Sequence, residues 1–284
     1  MSEQMRAYRS ALYIPGSKER ALEKAKGLAA DAILFDLEDA VTPDEKANAR
    51  ALLARVISEG GFGSRAKIVR VNGFDTAWGR DDVAAMRDVP IDGVLLPKVN
   101  SRADIEALAE AIPDVPLWAM METPLGMLNA AEIASHPRMA GFVMGTNDLV
   151  KELGSRTPAD RGPLMTSLQL CLLAARAYGL VCIDGVYNKY LDEDGLRFEC
   201  EQGRDMGFDG KSLIHPAQLD IANAAFAPSE AEIDLARRQI AAFQEAEAAG
   251  QGVAVVDGKI VENLHVATAR SILAKAEAIA ALQG

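Results

Sequence analysis

The sequence predicts an α/β protein built as a parallel TIM-type (β/α)8 barrel, with a C-terminal helical and hairpin extension. Three observations carry that prediction. Eight short apolar runs alternate with helical patterns between Arg9 and Ile214, and their spacing is regular. No GxGxxG motif follows any run, which leaves the dinucleotide crevice of a doubly wound sheet unsupported. An open parallel sheet is the main alternative. At 284 residues the chain has room for a barrel of about 250 residues.

Each element has a local reason. Arg9–Pro15 (RSALYIP) reads as a first strand, and Gly16-Ser17 opens an amphipathic helix from about Lys18 to Ala29. Asp31–Asp36 (DAILFD) is a continuous apolar run, so a buried strand, and Pro43–Ser58 has helical periodicity. Lys67–Val71 is a third strand, Trp78–Asp88 a short helix, and Gly93–Pro97 a fourth strand ending at Lys98. Ser101 caps a helix to Ala111. Leu117–Met121 is a fifth apolar strand that stops at Glu122, where Thr123-Pro124 supplies an N-cap and first-turn pair for a helix to Ser135. Gly141–Gly145 is the sixth strand, Pro163–Tyr178 a Leu- and Ala-rich helix, and Leu180–Val186 the seventh strand. Asp194–Met206 is helical, and Gly210–Ile214 is the eighth strand before His215-Pro216.

After Ala227-Pro228-Ser229 the pattern changes, dividing the chain into a catalytic barrel over 1–227 and a C-terminal lid or oligomerisation segment over 228–284. That segment reads as a helix over Glu230–Ala249, a hairpin about Asp257-Gly258, and a last helix over Ala267–Leu282. It is too small for a sizeable independent core, so it is expected to pack on the barrel or on a neighbouring subunit.

A net charge of −11 argues against nucleic acid as the partner, though not against a phosphorylated small molecule. No apolar run approaches the ~20 residues that span a bilayer, and MSEQMRAYRS lacks the apolar segment of a signal peptide. Cys171, Cys182 and Cys200 have no metal-like spacing and read as free thiols in a reducing compartment. A cytoplasmic protein is expected. One basic cluster (Arg6, Arg9, Lys18, Arg20, Lys24 and Lys26) reads residue by residue as a solvated helix face.

In such barrels catalytic groups sit at the C-terminal strand ends. Those ends carry Asp36, Glu38 and Asp39; Arg70 and Asn72; Lys98; Glu122; Asn147 and Asp148; Asp184; and His215. So many acids at one mouth should repel unless a divalent cation and basic side chains neutralise them. Oxygen ligands without paired His or Cys point to Mg²⁺ or Mn²⁺ rather than Zn²⁺, and Glu122 with Asp148 is the best pair geometrically. Taken singly, each could equally be a structural acid bonded to a strand-end lysine or a helix N-terminus. Arg70, among apolar neighbours in IVRVNG, should aim its fork at a carboxylate or a developing oxyanion. It could also form a buried ion pair with Asp36 or Glu38, and those acids could orient it for catalysis. Lys98 could form a Schiff base, but the adjacent acids favour a cation that contacts substrate. His215, His136, His265, Trp78 and Trp118 have structural readings at least as good as functional ones.

With those residues laid out, the sequence resembles the citrate lyase β-subunit-like (HpcH/HpaI aldolase/citrate lyase) family of acyl-CoA enzymes. LYIPGSKERALEKA, FDLEDAV, IVRVNG, LLPKV, METPLG, GTNDL, IDGVY, GFDGKSLIHPAQ and VVDGKIVENLH carry the resemblance across nearly the whole chain, in order. Within the family the likeness is strongest to the malyl-CoA branch. The resemblance implies a TIM barrel with Mg²⁺ on Glu122 and Asp148, and Arg70 stabilising enolate-like charge at the thioester. It implies CoA across the barrel mouth, with Lys18, Arg20 and Lys24 as phosphate contacts. It also implies a homotrimer or homohexamer whose C-terminal segment closes over a neighbour's site. Glu262 in KIVEN stands where several relatives carry an Asp that acts as general acid or base. The implied substrates are 3-hydroxy-dicarboxylyl-CoA thioesters. Malyl-CoA would be hydrolysed to malate and CoA; alternatively malyl-, β-methylmalyl- or citramalyl-CoA would be cleaved at a carbon–carbon bond, giving glyoxylate from the first two or pyruvate from the last, plus an acyl-CoA. A non-catalytic CoA-ester-binding subunit is the answer from another class.

Overall fold

β1 (Ser10–Pro15) begins a barrel in which each of the eight strands is followed by at least one helix before the chain moves on. The structure, a computed structural model, describes residues 6–283. Residues 1–5, half of the N-terminal stretch read as lacking a signal peptide, lie outside them. The order continues α1 (Glu19–Ala25), β2 (Ala32–Asp36), α2 (Lys46–Glu59), β3 (Ala66–Arg70), α3 (Gly79–Met86), β4 (Gly93–Leu96), α4 (Arg102–Ala111) and β5 (Leu117–Met121). It then runs α5 (Pro124–Leu128), α6 (Ala130–Ala134), β6 (Met139–Met144), α7 (Thr146–Leu153), α8 (Met165–Ala177), β7 (Val181–Asp184), α9 (Glu193–Met206), β8 (Gly210–Leu213) and α10 (Leu219–Phe226). All neighbouring strands pair in parallel, and β1 pairs with β8, so the sheet closes and the open-sheet alternative falls.

Side-chain alternation sorts the strands into two cores. Ala11, Ala32, Leu34, Ala66, Ile68, Leu95, Trp118, Met120, Val143 and Ile183 fill the barrel interior. The opposite parity, including Ile33, Phe35, Val69, Val94, Ala119, Phe142 and Cys182, packs under the helices. Trp118 fills the interior between Gly93 and Gly141, where an added Cβ would come within 2.7 and 2.3 Å of its ring. The packing reading of Trp118 holds. All three cysteines are free and buried, and burial pushes the Cys171 and Cys200 thiols up to about 12.

Several element ends differ from the sequence reading. The helix expected over Pro124–Ser135 breaks at Asn129, whose φ of −97° and ψ of 11° leave the helical region. α1 stops at Ala25, four residues early. Arg9 is no part of a basic face. It is buried in a fork to Asp31, with Nε and Nη2 at 2.9 and 2.8 Å, at the opposite end of β1 from Lys18.

From Ala227 the described chain belongs, with residues 6 and 7, to a second compact unit. It comprises α11 (Glu230–Ala248), β9 (Ala254–Val256), β10 (Lys259–Val261) and α12 (Asn263–Gln283). Asp257 and Gly258 both take positive φ, 51° and 74°, as a tight hairpin turn requires. A small core of Phe243, Ala246, Ala254, Val261 and Val266 holds this unit together, while Val255 and Ile260, cross-strand neighbours, stay exposed. α12 begins four residues before the expected Ala267 because Glu262 caps it. The Glu262 carbonyl accepts from the His265 and Val266 amides, and the Glu262 amide donates to His265 Nδ1 at 3.1 Å.

Candidate active site

The C-terminal mouth of the barrel gathers Asp36, Glu38, Arg70, Lys98, Glu122 and Asp148. Asp36 and Arg70 are the last residues of β2 and β3 and are register partners, both facing inward. Arg70 is buried. Its Nε and Nη2 donate to the two Asp36 oxygens at 2.8 and 2.5 Å, and Nη1 lies 2.8 Å from Glu38 Oε2 and 3.4 Å from Asp39. Asp36 also accepts from the Glu38 and Ala40 amides, so its oxygens are committed to holding Arg70 and the turn that follows. Burial works to lower the Arg70 guanidinium pKa, but Asp36, Glu38 and the Tyr13 oxygen together outweigh it and hold the value raised. Arg70 is a permanent cation. The ion-pair reading and the substrate-facing reading of Arg70 are therefore compatible, with Asp36 as the group that orients it.

Lys98 follows β4 with φ of 50°, an uncommon conformation for a non-glycine residue. That conformation lets one residue serve two acids: its amide donates to Glu122 Oε1 at 2.8 Å, and its Nζ donates to Glu38 at 2.9 Å. Partial burial lowers the Lys98 pKa, yet the bond to Glu38 together with the Glu38, Glu122 and Asp39 charges outweighs that and leaves it raised, which disfavours a free amine. For Glu38, burial with the Asp39 charge raises the pKa more than Arg70 and Lys98 lower it.

Glu122 is 1% exposed, directly after β5. The Thr123 hydroxyl accepts from the Gly126 amide at 3.0 Å and Pro124 takes the first turn of α5, so the chain leaves the strand as the sequence implies. Burial, with the Glu38 and Asp148 charges, pushes the Glu122 carboxyl up to about 7 against the Lys98 amide bond and Arg70. Asp148 is in the first turn of α7, where the helix dipole favours an anion. Gly145 joins β6 to α7, and a Cβ there would sit 2.4 Å from Glu122 Oε2. Only glycine leaves space for that oxygen.

A cavity of about 120 Å³ is lined by Tyr13, Arg70, Met120, Glu122, Asn147 and Asp148, among others. Two hard-oxygen carboxylates in the wall of a small cavity suit Mg²⁺, which takes one or two protein carboxylates and completes its shell with water and substrate. Among the described residues no group of three or more His, Cys, Asp and Glu forms a fuller cage. The fit is to an ion that keeps open positions. A bound cation would also offset the cost of ionising Glu122.

Other expected site residues lie elsewhere. Lys18 and Arg20 are exposed where β1 gives way to α1, Lys18 Nζ being 3.7 Å from Glu45, while Lys24 is in the last turn of α1, roughly 7 Å further along the helix. Glu262 is exposed on the second unit. Asp184 is not in the mouth, a correction to the strand-end inventory. The alternation that turns Ile183 inward turns Asp184 outward, where Arg161 and Lys211 neutralise it at 2.8 and 3.0 Å. Lys211 also donates to Glu199 at 2.6 Å. Burial acts to raise the Asp184 pKa, but Lys211 and Arg161 outweigh it and keep it lowered. His215 caps the turn after β8, its Nδ1 accepting from the Ala217 amide at 3.2 Å, and stacks on Tyr190. Sequence reasoning passed over Arg161, Lys211 and Tyr13. Lys211 was findable, as a lysine inside the strand GKSL beside an acid of matching parity on β7.

The HpcH/HpaI aldolase/citrate lyase family model matches residues 9–216, from the first strand to the turn after the eighth. The chain belongs to that family. It is 70% identical over 281 residues to a (3S)-malyl-CoA thioesterase of Cereibacter sphaeroides, covering 99% of both chains. It is 34% identical over 284 residues to the citrate lyase subunit beta of Escherichia coli K12, covering 96% of this chain and 94% of that one. Among solved structures, CitE of Mycobacterium tuberculosis with magnesium, acetoacetate and coenzyme A superposes with a TM-score of 0.81 at 30% identity, covering 96% and 100% of the two chains. The citrate lyase beta subunit of the same organism with oxaloacetate and magnesium gives 0.71 at 32%, covering 78% and 98%. Among the described residues, no helix is long and apolar enough to cross a membrane.

Proposed function

We propose that this chain is a Mg²⁺-dependent thioesterase that hydrolyses (3S)-malyl-CoA to malate and CoA. The near full-length likeness to a (3S)-malyl-CoA thioesterase carries the reading. The mouth supplies the parts: a fixed cation in Arg70, two carboxylates in Glu122 and Asp148, and a small cavity between them. Mg²⁺, held by Glu122 and Asp148, supplies Lewis-acid charge and a template when bound.

The chain's own groups then have defined tasks. Arg70, held rigid by Asp36, offers positive charge to the thioester oxygen as it turns anionic. Preorganisation by a buried bidentate pair means the guanidinium need not reorient during reaction. Lys98 fixes Glu122 through its amide and Glu38 through its ammonium, tying the two halves of the site together. The water oxygen bonds to the carbonyl carbon and the carbon–sulfur bond breaks. One water proton ends on the departing sulfur, and the other is released as the new carboxyl ionises. Lys18 and Arg20 are assigned to CoA phosphate, with Lys24 a weaker candidate because it is further down α1.

The C-terminal unit is assigned to a neighbouring copy in a homotrimer or homohexamer, where Glu262 would move the proton. Its exposed Val255, Ile260 and Leu264 support that docking role, as apolar side chains suited to burial against another surface. The free, buried cysteines support a cytoplasmic setting. Mn²⁺ would satisfy the same oxygen ligands. The test is thiol release from malyl-CoA by purified protein with Mg²⁺ or with EDTA. Release that needs the ion supports the reading; equal release in EDTA removes the metal from it.

A further inference from the structure

The donors of Arg70 are heavily committed. Nε and Nη2 are engaged by Asp36, and Nη1 faces Glu38 and Asp39. An oxyanion formed beside this guanidinium meets three carboxylates as well, only one of which, Glu38, is shared with a second cation, Lys98. Coulomb repulsion from those acids would cancel much of the attraction. A neutral donor in the same wall would stabilise the anion without adding to the local charge.

Tyr13 is such a group. Alternation along β1 puts it inside the barrel one layer above Ala11, and it lines the cavity with Arg70, Met120, Glu122 and Asp148. The Arg70 Cζ lies 5.0 Å from its ring centroid, so the ring supports the guanidinium. Its hydroxyl donates to Met120 Sδ at 3.2 Å. A thioether is a weak acceptor, which leaves a largely enclosed phenol close to unsatisfied. Phenylalanine would fill the same space and support Arg70 without that cost, so packing alone does not account for the hydroxyl. Asn147, another polar group of the cavity wall, is already paired with Asn188 through both of its side-chain amide atoms, at 2.7 and 3.2 Å.

We propose that Tyr13 is a catalytic residue whose hydroxyl leaves Met120 Sδ for the substrate's thioester oxygen and donates a hydrogen bond to it beside Arg70. The proposal rests on the thioester reading above. As the water oxygen bonds to the carbonyl carbon, the carbonyl electron pair moves to oxygen, where Tyr13 and Arg70 hold it. The pair then returns to re-form the carbonyl as the carbon–sulfur bond breaks and the sulfur takes up a proton. Tyr13 keeps its own proton throughout. Burial, together with the nearby acids, raises its pKa beyond the ordinary phenol range, so it stays a donor at any working pH.

Tyr13→Phe keeps the ring under Arg70 and removes only the hydroxyl. The expected result is a kcat for malyl-CoA hydrolysis lower by roughly 100-fold, the loss typical of one oxyanion donor, with KM and the Mg²⁺ dependence little changed. A second readout needs no turnover: the infrared carbonyl stretch of bound acetyl-[1-¹³C]CoA. It should lie below its solution value in the wild type and move back toward it in Tyr13→Phe. Unchanged kcat and an unchanged stretch in Tyr13→Phe would overturn the proposal. A wild type that fails to hydrolyse malyl-CoA, yet shows a Tyr13-dependent carbonyl shift, would overturn the thioesterase reading and keep the contact.

Discussion

Glu122→Gln in metal-free protein gives the clearest energetic test of the site. The Glu122 carboxyl is almost fully buried and is pushed from 4.5 to about 7, chiefly by burial. That difference corresponds to roughly 3 kcal/mol between the protonated and ionised forms. The sign follows from linkage. An acid whose folded pKa is raised makes its full contribution to stability below its unfolded pKa, and loses it as pH rises through the folded value. Metal-free wild type should therefore lose roughly 3 kcal/mol relative to the glutamine variant between about pH 4.5 and a little above pH 7. For a domain of this size that is a fall of about 6 to 12 °C in the difference of melting temperatures. Thermal melts of both proteins in EDTA across that range read the difference directly, because every other titrating group is shared. Mg²⁺ added at the alkaline end should recover the wild type and leave the variant unmoved. A melting difference that is flat with pH would refute the buried, proton-loving Glu122 on which the metal argument stands.

Two further outcomes follow from groups outside that carboxylate. Lys211→Met leaves Asp184 and Glu199 buried with only Arg161 to balance them, and should cost about 3 to 5 kcal/mol in urea denaturation. Mg²⁺ affinity measured by calorimetry should hardly move, since the quartet lies on the helix side of the strands. If Glu262 serves a neighbouring copy, Arg70→Ala and Glu262→Gln proteins, each nearly inactive alone, should regain part of the hydrolysis rate after subunit exchange. No recovery on mixing, with exchange verified, would return Glu262 to a capping role only.

The eight strands were legible because each is an apolar run closed by a turn, and alternation carries the same information as the two cores. Glu122, Asp148 and Arg70 stood out because charged groups at the ends of buried strands are costly and need partners. Asp184 misled for a related reason. A strand-end acid faces the mouth or the helices according to parity, and the seventh strand is too short, at four residues, to fix its parity by inspection. Arg161 was hidden further, because it lies in the turn-rich stretch RTPADRGPL, takes a left-handed φ of 54°, and reaches an acid 23 positions away. Lys98 showed its charge in the sequence but not its conformation, and the conformation is what aims its amide at Glu122. Tyr13 is chemically silent in LYIPG; only the sulfur opposite its hydroxyl marks it.

The most direct measurement is the product balance of malyl-CoA turnover by the purified protein with Mg²⁺. Malate and free CoA in equal amounts, with no glyoxylate and no acetyl-CoA, are the expected products. Glyoxylate and acetyl-CoA appearing together would contradict the thioesterase reading, and would mean that the same mouth breaks a carbon–carbon bond instead.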